Sequence, residues 1–413
     1  MSRAILLVLD SLGIGALPDA DQFGDAGADT LGHIAAHCLA NRCGSGVDGA
    51  LQIPQLLGLG LGHAAQLASG RFPAGLRDLA PTPAGAWGCA RERSTGKDTT
   101  SGHWEMCGVP VSFDWGYFTA PTQSFPVELL AALVQRAQLP GVLGNCRASG
   151  TTIIAELGEA HIHSGKPIVY TSADSVLQIA AHEVHFGLER LHAVCAIARE
   201  LVDPLNVARV IARPFTGEEA DSFKRTSNRR DYSVPPPAST LLDHLQAAGR
   251  EVIGIGKIPD IFAHRGITRE IKAHGIDGLF QATLDAMDAM DSAADGSLVF
   301  TNFVDFDQEF GHRRDPAGYA AALEAFDALL PQLFARLQGD DVVLLVADHG
   351  NDPTWSGSDH TREHIPILAF GPRVRAGGIG CRDSFADIGQ SIATWLDIPP
   401  LDAGHDFLGA MRA

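Results

Sequence analysis

Six aspartate and histidine residues, spread over four segments of the chain, carry side chains that bind divalent cations. Carboxylate and neutral imidazole together are the ligand set of zinc, manganese and iron. Three of each would fill two adjacent sites, and two cations a few ångström apart favour in-line phosphoryl displacement. A single Asp after a strand could equally cap a helix, and a single His could be a surface or packed residue, so the prediction depends on the whole set. Its members are Asp10, Asp307, His312, Asp348, His349 and His360.

Short apolar runs precede three of these segments and indicate the elements that must position them. Continuous runs of this length are typical of strands buried on both faces of a parallel sheet. The carboxyl ends of such strands meet at one edge, where open α/β sheets place their sites. The runs are residues 4–9 before Asp10, 298–304 before Asp305 and Asp307, and 342–347 before Asp348.

Two details of the metal set stay open at this point. Asp305 and Asp307 both follow the second run, and since side chains on a strand alternate, both are expected to face the same way. Either could be the ligand. Asp359 directly precedes His360 and is expected to orient its imidazole, because metal-bound histidines usually have such a partner.

A helix is predicted between the second and third runs. Asp315 is a suitable N-cap, Pro316 a suitable first residue, and apolar residues follow at helical spacing from Tyr319 to Leu337. The apolar period continues beyond Pro331, so we expect a kink there rather than an end. Strand, helix and strand then form a crossover of an α/β fold.

The middle of the chain has strand and helix signals of its own, such as the apolar run 168–171. The proline stretch 235–237 indicates where the chain re-enters the first domain. We therefore predict a second α/β domain over 116–237, inserted into a core formed by 1–115 and 238–413.

Composition limits what else the chain could do. It has 413 residues, with 31 Lys and Arg against 49 Asp and Glu, and a formal net charge of −18. Binding to nucleic acid or to an anionic membrane is not expected, and clustered carboxylates would repel a phosphate unless cations were bound. The seven cysteines contain no C-x-x-C pair, and no apolar stretch of about 18 residues occurs, so we expect a cytoplasmic protein.

A polar segment bracketed by glycines, residues 96–105, contains hydroxyl groups that could act as nucleophiles. A threonine beside a divalent cation is activated in this way. Thr99 and Thr100 are neighbouring candidates, and the segment could also be an ordinary helix start with Asp98 or Thr99 as its cap. It is not a P-loop, because Asp98 follows the Gly-Lys pair.

Several segments, in this order along the chain from residue 4 to about 370, together closely resemble phosphopentomutases, a family of the alkaline phosphatase superfamily. Each segment alone would also fit phosphoglycerate mutases or phosphatases. The segments are DSLGIG (10–15), GKDTTSGHWE (96–105), YTSADS (170–175), NFVDFD (302–307), GHRR (311–314) and DHGNDPT (348–354).

The resemblance implies an alkaline-phosphatase-like doubly wound core with an inserted α/β cap domain. It implies the interconversion of ribose or 2-deoxyribose 1-phosphate and 5-phosphate, in nucleoside catabolism and salvage. Thr99 matches the family's phosphorylated threonine, and the sugar would pass through a 1,5-bisphosphate. Ser101 departs from the family, which more often has threonine there.

The resemblance also implies the ligands and partners. It selects Asp307 over Asp305, and it implies two Mn²⁺ ions and a bisphosphorylated sugar, ribose 1,5-bisphosphate or glucose 1,6-bisphosphate, as activator. The substrate would be a small phosphorylated pentose, and no obligatory protein partner is inferred. The residue sets are Asp10, Asp348 and His349 for one cation, Asp307, His312 and His360 for the other, and Asp174, Arg225 and Lys257 for the sugar and its distal phosphate.

Two other functions would use part of the same residue set. A hydrolase of the same superfamily would use the same metal set, and the inserted domain with Asp174 distinguishes the mutase from it. A metal-binding or anion-binding module without catalysis would have no need of the Thr99 hydroxyl.

Overall fold

The structure is a computed structural model, and it describes residues 2–172, 175–290 and 296–412. The chain forms two compact units. One consists of the residues up to 112 and those from 236 onward, and the other is Phe113–Pro235. The strands are β1 Arg3–Leu9, β2 Ala86–Ala90, β3 Leu143–Arg147, β4 Ile168–Thr171, β5 Val176–His182, β6 Arg209–Thr216, β7 Lys224–Arg225, β8 Arg230–Ser233, β9 Val252–Ile255, β10 Arg269–Ile271, β11 Ser297–Phe303, β12 Val342–Val346, β13 Ile365–Phe370 and β14 Gly377–Arg382.

The helices alternate with these strands along most of the chain. Among the described residues, no helix combines the length and apolarity needed to cross a membrane. The helices are α1 Thr30–Asn41, α2 Pro54–Leu59, α3 Leu61–Ser69, α4 Thr99–Met106, α5 Val127–Arg136, α6 Gly150–Ser164, α7 Leu188–Val202, α8 Leu241–Ala247, α9 Ile258–Ile261, α10 Ile276–Ala289, α11 Pro316–Phe334, α12 Ala386–Trp395 and α13 Leu408–Met411.

A large mixed sheet forms the centre of the first unit, in the strand order β10-β9-β11-β1-β12-β13-β2-β14. The three apolar runs are confirmed as β1, β11 and β12, and β1 lies between the other two, parallel to both. All side chains of residues 4–9 are fully buried, as expected for a central strand. The carboxyl ends of these strands therefore lie side by side, as the sequence predicts.

Helices cover this sheet in two groups, and each group packs within itself. One group comprises α1, α2, α3, α10 and α11, and the other comprises α4, α8, α9, α12 and α13. Two helical layers are the arrangement of a doubly wound sheet, so the predicted α/β fold class is confirmed.

Helix α11 makes the predicted crossover between β11 and β12. Its cap is confirmed, since the Asp315 side chain accepts a hydrogen bond from Gly318 N. The helix continues through Pro331 but ends at Phe334, so the expectation that it reaches Leu337 is wrong. After Ala335 the hydrogen bonds change to the tighter type between residues three apart, and the chain leaves the helix before Gly339, whose φ is +40°.

The second unit has its own mixed sheet, in the order β3-β4-β5-β6-β7, with β8 paired to β6. Helices α5 and α7 pack against each other, with α7 on β5 and β6, while α6 packs on β3, β4 and β5. Apolar residues of both layers form its core. This unit therefore has an α/β architecture and a hydrophobic core of its own.

Candidate metal centre

Asp10, Asp348 and His349 converge beyond the ends of β1 and β12. His349 Nε2 lies 3.5 Å from Asp10 Oδ1 and 3.3 Å from Asp348 Oδ2. All three side chains are buried, and burial lowers the pKa of His349 to about 4. The imidazole is therefore neutral near pH 7 and offers a lone pair.

Asp307, His312 and His360 form the second group. His312 Nε2 lies 3.1 Å from Asp307 Oδ2 and 3.1 Å from His360 Nε2, and His360 Nε2 lies 3.5 Å from Asp307 Oδ1. The rings of His349 and His360 stack with 3.9 Å between their centroids. The two groups are therefore direct neighbours.

Backbone carbonyls fix the orientation of all three imidazoles. Nδ1 of His312 donates to Ser358 O at 2.7 Å. In the same way, Nδ1 of His360 donates to Lys97 O at 3.0 Å, and Nδ1 of His349 to Gly350 O at 3.1 Å. In each ring the lone pair is then on Nε2, the atom that faces the carboxylates.

These residues fit divalent cations. In the neutral tautomers just described, the Nε2 lone pairs of His312 and His360 face each other across 3.1 Å. Asp10 Oδ1 is buried and has no hydrogen-bond partner among the described residues. Burial, with the charges of Asp348 and Asp307, raises the pKa of Asp10 well above its ordinary value. A bound cation would relieve the repulsion between the facing lone pairs and would stabilise the buried carboxylate of Asp10 in its charged form.

The Thr99 hydroxyl lies at the first of these two groups. Thr99 is the first residue of α4, and its Oγ1 is 3.3 Å from His349 Nε2. Asp98 caps the helix by accepting hydrogen bonds from Thr100 N and Ser101 N, and its other carboxylate oxygen accepts one from Ser101 Oγ at 2.8 Å. The segment is thus a capped helix start that also places one hydroxyl beside the Asp/His groups.

Comparison with known proteins shows the family of the chain. The Metalloenzyme superfamily matches residues 2–400. A phosphopentomutase of Chelativorans sp. is 59% identical, with 100% of both chains covered. Phosphopentomutases of Chromohalobacter salexigens and Aeromonas hydrophila are 59% and 57% identical, covering 99% of this chain and 96% and 100% of theirs. The chain belongs to the phosphopentomutase family. It is an enzyme of the Metalloenzyme superfamily, as the sequence motifs indicated.

Gly102 allows α4 to approach the chain at Asp348. A Cβ added at Gly102 would lie 2.1 Å from the Asp348 carbonyl oxygen, too close without a shift of the backbone. We expect Gly102→Ala to push α4 and Thr99 away from His349. A displacement of about 1 Å can cost about 100-fold in rate, and such overpacking about 1–3 kcal/mol in stability. Turnover and thermal unfolding would measure both effects.

Gly278 provides the matched control, because it also lies within a helix but has open space around it. Gly278→Ala should leave turnover unchanged and the stability unchanged or slightly raised, since alanine favours helix. Equal loss of activity in the two variants would contradict the role assigned to Gly102.

The strand argument about Asp305 and Asp307 is wrong. Strand β11 ends at Phe303, and Phe306–Gly311 forms a helical turn, so the two side chains do not share a strand face. Asp307 lies beside His312 and His360. Asp305 is half-buried, and its electrostatic neighbours are Glu309 and His274.

Asp359 also differs from expectation. Its Oδ1 accepts a hydrogen bond from the backbone N–H of His360, whereas the imidazole is oriented by the Lys97 carbonyl. The cause is the position of the Thr99 segment, which brings Lys97 against the ring.

Three polar residues that sequence reasoning missed support the carboxylates. Asn302 Nδ2 donates to Asp10 Oδ2 at 2.8 Å, and Asn351 Nδ2 donates to Asp307 Oδ1 at 2.7 Å. His103 Nδ1 lies 3.2 Å from Asp348 Oδ2. Both asparagines and the histidine belong to the quoted motifs, but nothing in their spacing distinguishes a supporting residue from a packed one.

The expected substrate residues belong to different parts of the chain. Asp174 lies outside the described residues. Lys257 follows β9 in the first unit, and its charge lowers the pKa of Asp10 against the larger opposing effects. Arg225, on β7 of the second unit, lies against Gly150 and the hydroxyl of Tyr170.

Arg213, which was not predicted, lies near both Arg225 and Arg229. Burial, with the nearby charges of Arg229 and Arg225, lowers the pKa of Arg213 to about 10. The buried Tyr170 hydroxyl has no hydrogen-bond partner among the described residues. Mutually repelling guanidinium groups beside a hydroxyl donor are suited to binding an anion.

Proposed function

We propose that the chain interconverts ribose or 2-deoxyribose 1-phosphate and the corresponding 5-phosphate, with Thr99 as the residue that carries the phosphoryl group. Membership of the phosphopentomutase family supports the reaction. The observation that supports Thr99 most strongly is the 3.3 Å separation of its Oγ1 from His349 Nε2, beside the stacked ring of His360.

In the proposed cycle, phosphorylated Thr99 gives its phosphoryl group to the free hydroxyl of the sugar monophosphate. The bond from phosphorus to Thr99 Oγ1 breaks as the bond to the sugar oxygen forms. The sugar hydroxyl proton passes to the Thr99 oxygen, and the product is the 1,5-bisphosphate. After the sugar reorients, its other phosphoryl group moves to Thr99 and the proton returns. Ribose 1,5-bisphosphate or glucose 1,6-bisphosphate would activate the enzyme by loading an unphosphorylated Thr99.

Each Asp/His group is proposed to hold one divalent cation, Mn²⁺ in both cases. When bound, the cations would neutralise charge on the transferring phosphoryl group and on the Thr99 oxygen. The chain itself fixes the ligand atoms beforehand, because the Nδ1 bonds hold the rings and the asparagines hold Asp10 and Asp307. The helix start at Asp98 holds the nucleophile in place.

Three residues are proposed to recognise the sugar and its distal phosphate. Arg225 is proposed to bind the distal phosphate, supported by the positive charge of Arg213 beside it and by the Tyr170 hydroxyl. Lys257 is proposed to contact a phosphate oxygen, and Asp174 the sugar hydroxyls. A net charge of −18 makes such local positive groups necessary for binding a phosphorylated sugar.

We also propose that residues 116–237 form a domain of their own and that the enzyme acts in the cytoplasm, in nucleoside catabolism and salvage. No nucleic acid, membrane or obligatory protein partner is proposed. The acidic composition supports the first two of these exclusions.

Product analysis tests the proposed function. The protein is incubated with Mn²⁺, ribose 1-phosphate and a trace of ribose 1,5-bisphosphate, and the products are separated. We expect ribose 5-phosphate, at a rate that increases with the bisphosphate. Free ribose with inorganic phosphate would instead identify a hydrolase and overturn the proposal.

Chelation provides the second arm of this experiment. Exhaustive treatment with a chelator should abolish the conversion, and added Mn²⁺ should restore it, because buried carboxylates without cations cannot accommodate a phosphate. Full activity after complete removal of metal would rule out the two-cation site.

A further inference from the structure

The Arg314 guanidinium joins its own segment to the loop 351–359, which leads to His360. It donates hydrogen bonds to five acceptors, and four of these are backbone carbonyl oxygens. A guanidinium carries its five N–H donors on three nitrogens in a planar fork. Here all three nitrogens donate, and Nη1 is shared among three of the acceptors. The acceptors are the carbonyl oxygens of Gly311 (3.0 Å), Asp352 (3.0 Å), Gly357 (2.7 Å) and Asp359 (2.9 Å), and the side-chain Oδ1 of Asn351.

The segments held by Arg314 in turn hold all three members of the Asp307, His312 and His360 group. Each member is hydrogen-bonded to a residue of this loop. Arg314 bonds two of these loop residues, Asn351 and Asp359, and it bonds both sequence neighbours of the third, Ser358. The three bonds are Asn351 Nδ2 to Asp307 Oδ1 (2.7 Å), His312 Nδ1 to Ser358 O (2.7 Å) and His360 N to Asp359 Oδ1 (2.9 Å).

Close packing supports the same arrangement. A Cβ added at Gly311 would lie 2.8 Å from Asn351 Nδ2, so only glycine lets the two segments approach this closely. Arg314 itself has a φ of +56°, a left-handed conformation that costs a residue with a Cβ about 1–2 kcal/mol. Such strain is retained where the surrounding contacts outweigh it.

We propose that Arg314 is a positioning residue that sets the cation affinity of the Asp307, His312 and His360 group without contacting substrate or cation. The proposal depends on the two-cation site described above. Lysine should not replace Arg314, because its three donors sit on a single nitrogen, whereas Arg314 donates from three nitrogens to acceptors on both segments. Arg313 provides a contrast, since its side chain is 65% exposed and pairs with Glu309.

The experiment compares Arg314→Lys and Arg314→Met with the matched control Arg313→Met. Mn²⁺ binding to the metal-free proteins is measured by isothermal titration and by electron paramagnetic resonance, without sugar. For both Arg314 variants we expect one of the two Mn²⁺ ions to bind about 10- to 100-fold more weakly, the range seen when a partner of a metal ligand is lost. The other Mn²⁺ ion and the Arg313 variant should bind as in the wild type.

Activity against Mn²⁺ concentration gives the second measurement. The Arg314→Lys variant should need about 10- to 100-fold more Mn²⁺ for half-maximal activity and regain most of its turnover at saturation. Unchanged Mn²⁺ binding in a folded Arg314→Lys variant would overturn the proposal, as would equal weakening of both ions. If Arg314→Met does not fold, the lysine variant alone decides. Because Mn²⁺ binding is measured without sugar, failure of the mutase proposal would appear in the product analysis and would leave the Mn²⁺ binding results unchanged.

Discussion

Thr99→Val will abolish phosphoryl transfer, lowering turnover by about 10⁴-fold or more, as expected when a covalent nucleophile is removed. Valine keeps the size and β-branching of threonine, so the start of α4 and the Asp98 cap should remain intact. The loss would then come from the missing hydroxyl 3.3 Å from His349 Nε2. Turnover of ribose 1-phosphate at saturating Mn²⁺ and bisphosphate measures it.

Mass spectrometry of the intact protein tests the role of Thr99 independently of turnover. Incubated with ribose 1,5-bisphosphate, the wild type should gain the mass of one phosphoryl group, and Thr99→Val should gain none. Thr100→Val is the matched control, since Thr100 is the next residue of α4 and is equally buried. It should keep its phosphorylation and most of its turnover. The opposite result would make Thr100 the nucleophile.

The part of the fold that carries the site could be predicted because its strands are buried on both faces. Such strands appear as unbroken apolar runs, as residues 4–9 do, and the polar residue after each run marks the sheet edge. The cap of α11 was equally clear, because Asp315 and Pro316 act locally. Signals of this kind depend on neighbours in sequence alone.

The remaining part of the site depends on contacts between distant segments. The separation of Asp305 from Asp307 follows from the end of β11 at Phe303, a boundary that apolar content alone does not mark. The loop 351–359 has no periodicity, so nothing in the sequence indicates that Arg314 joins it to the segment of His312. Lys97 orients His360 across 263 residues of sequence separation.

Asp307→Asn is expected to remove one of the two cations. Asparagine keeps the shape of the side chain but not its charge, and the carboxylate oxygens of Asp307 lie 3.1 Å from His312 Nε2 and 3.5 Å from His360 Nε2. Loss of a charged ligand should lower the affinity for that cation by at least about 100-fold. This is the upper end of the loss in affinity seen when a hydrogen-bond partner of a metal ligand is removed. At an Mn²⁺ concentration that saturates the wild type, turnover should fall by about 10³-fold, because one of the two proposed cations is no longer bound.

Asp305→Asn is the control that separates a local role from a general effect of charge. It removes the same charge two residues away, but Asp305 is half-buried and lies outside the histidine group. Mn²⁺ titration should therefore show two tight ions for Asp305→Asn and one for Asp307→Asn, with turnover near that of the wild type only in the former. If the two variants lost the same ion, ligation would have to include Asp305, and the helical turn Phe306–Gly311 would have to rearrange when the cation binds. Two tight ions in both variants would mean that His312 and His360 hold their cation without Asp307, and this result would overturn the assignment of Asp307 as a ligand.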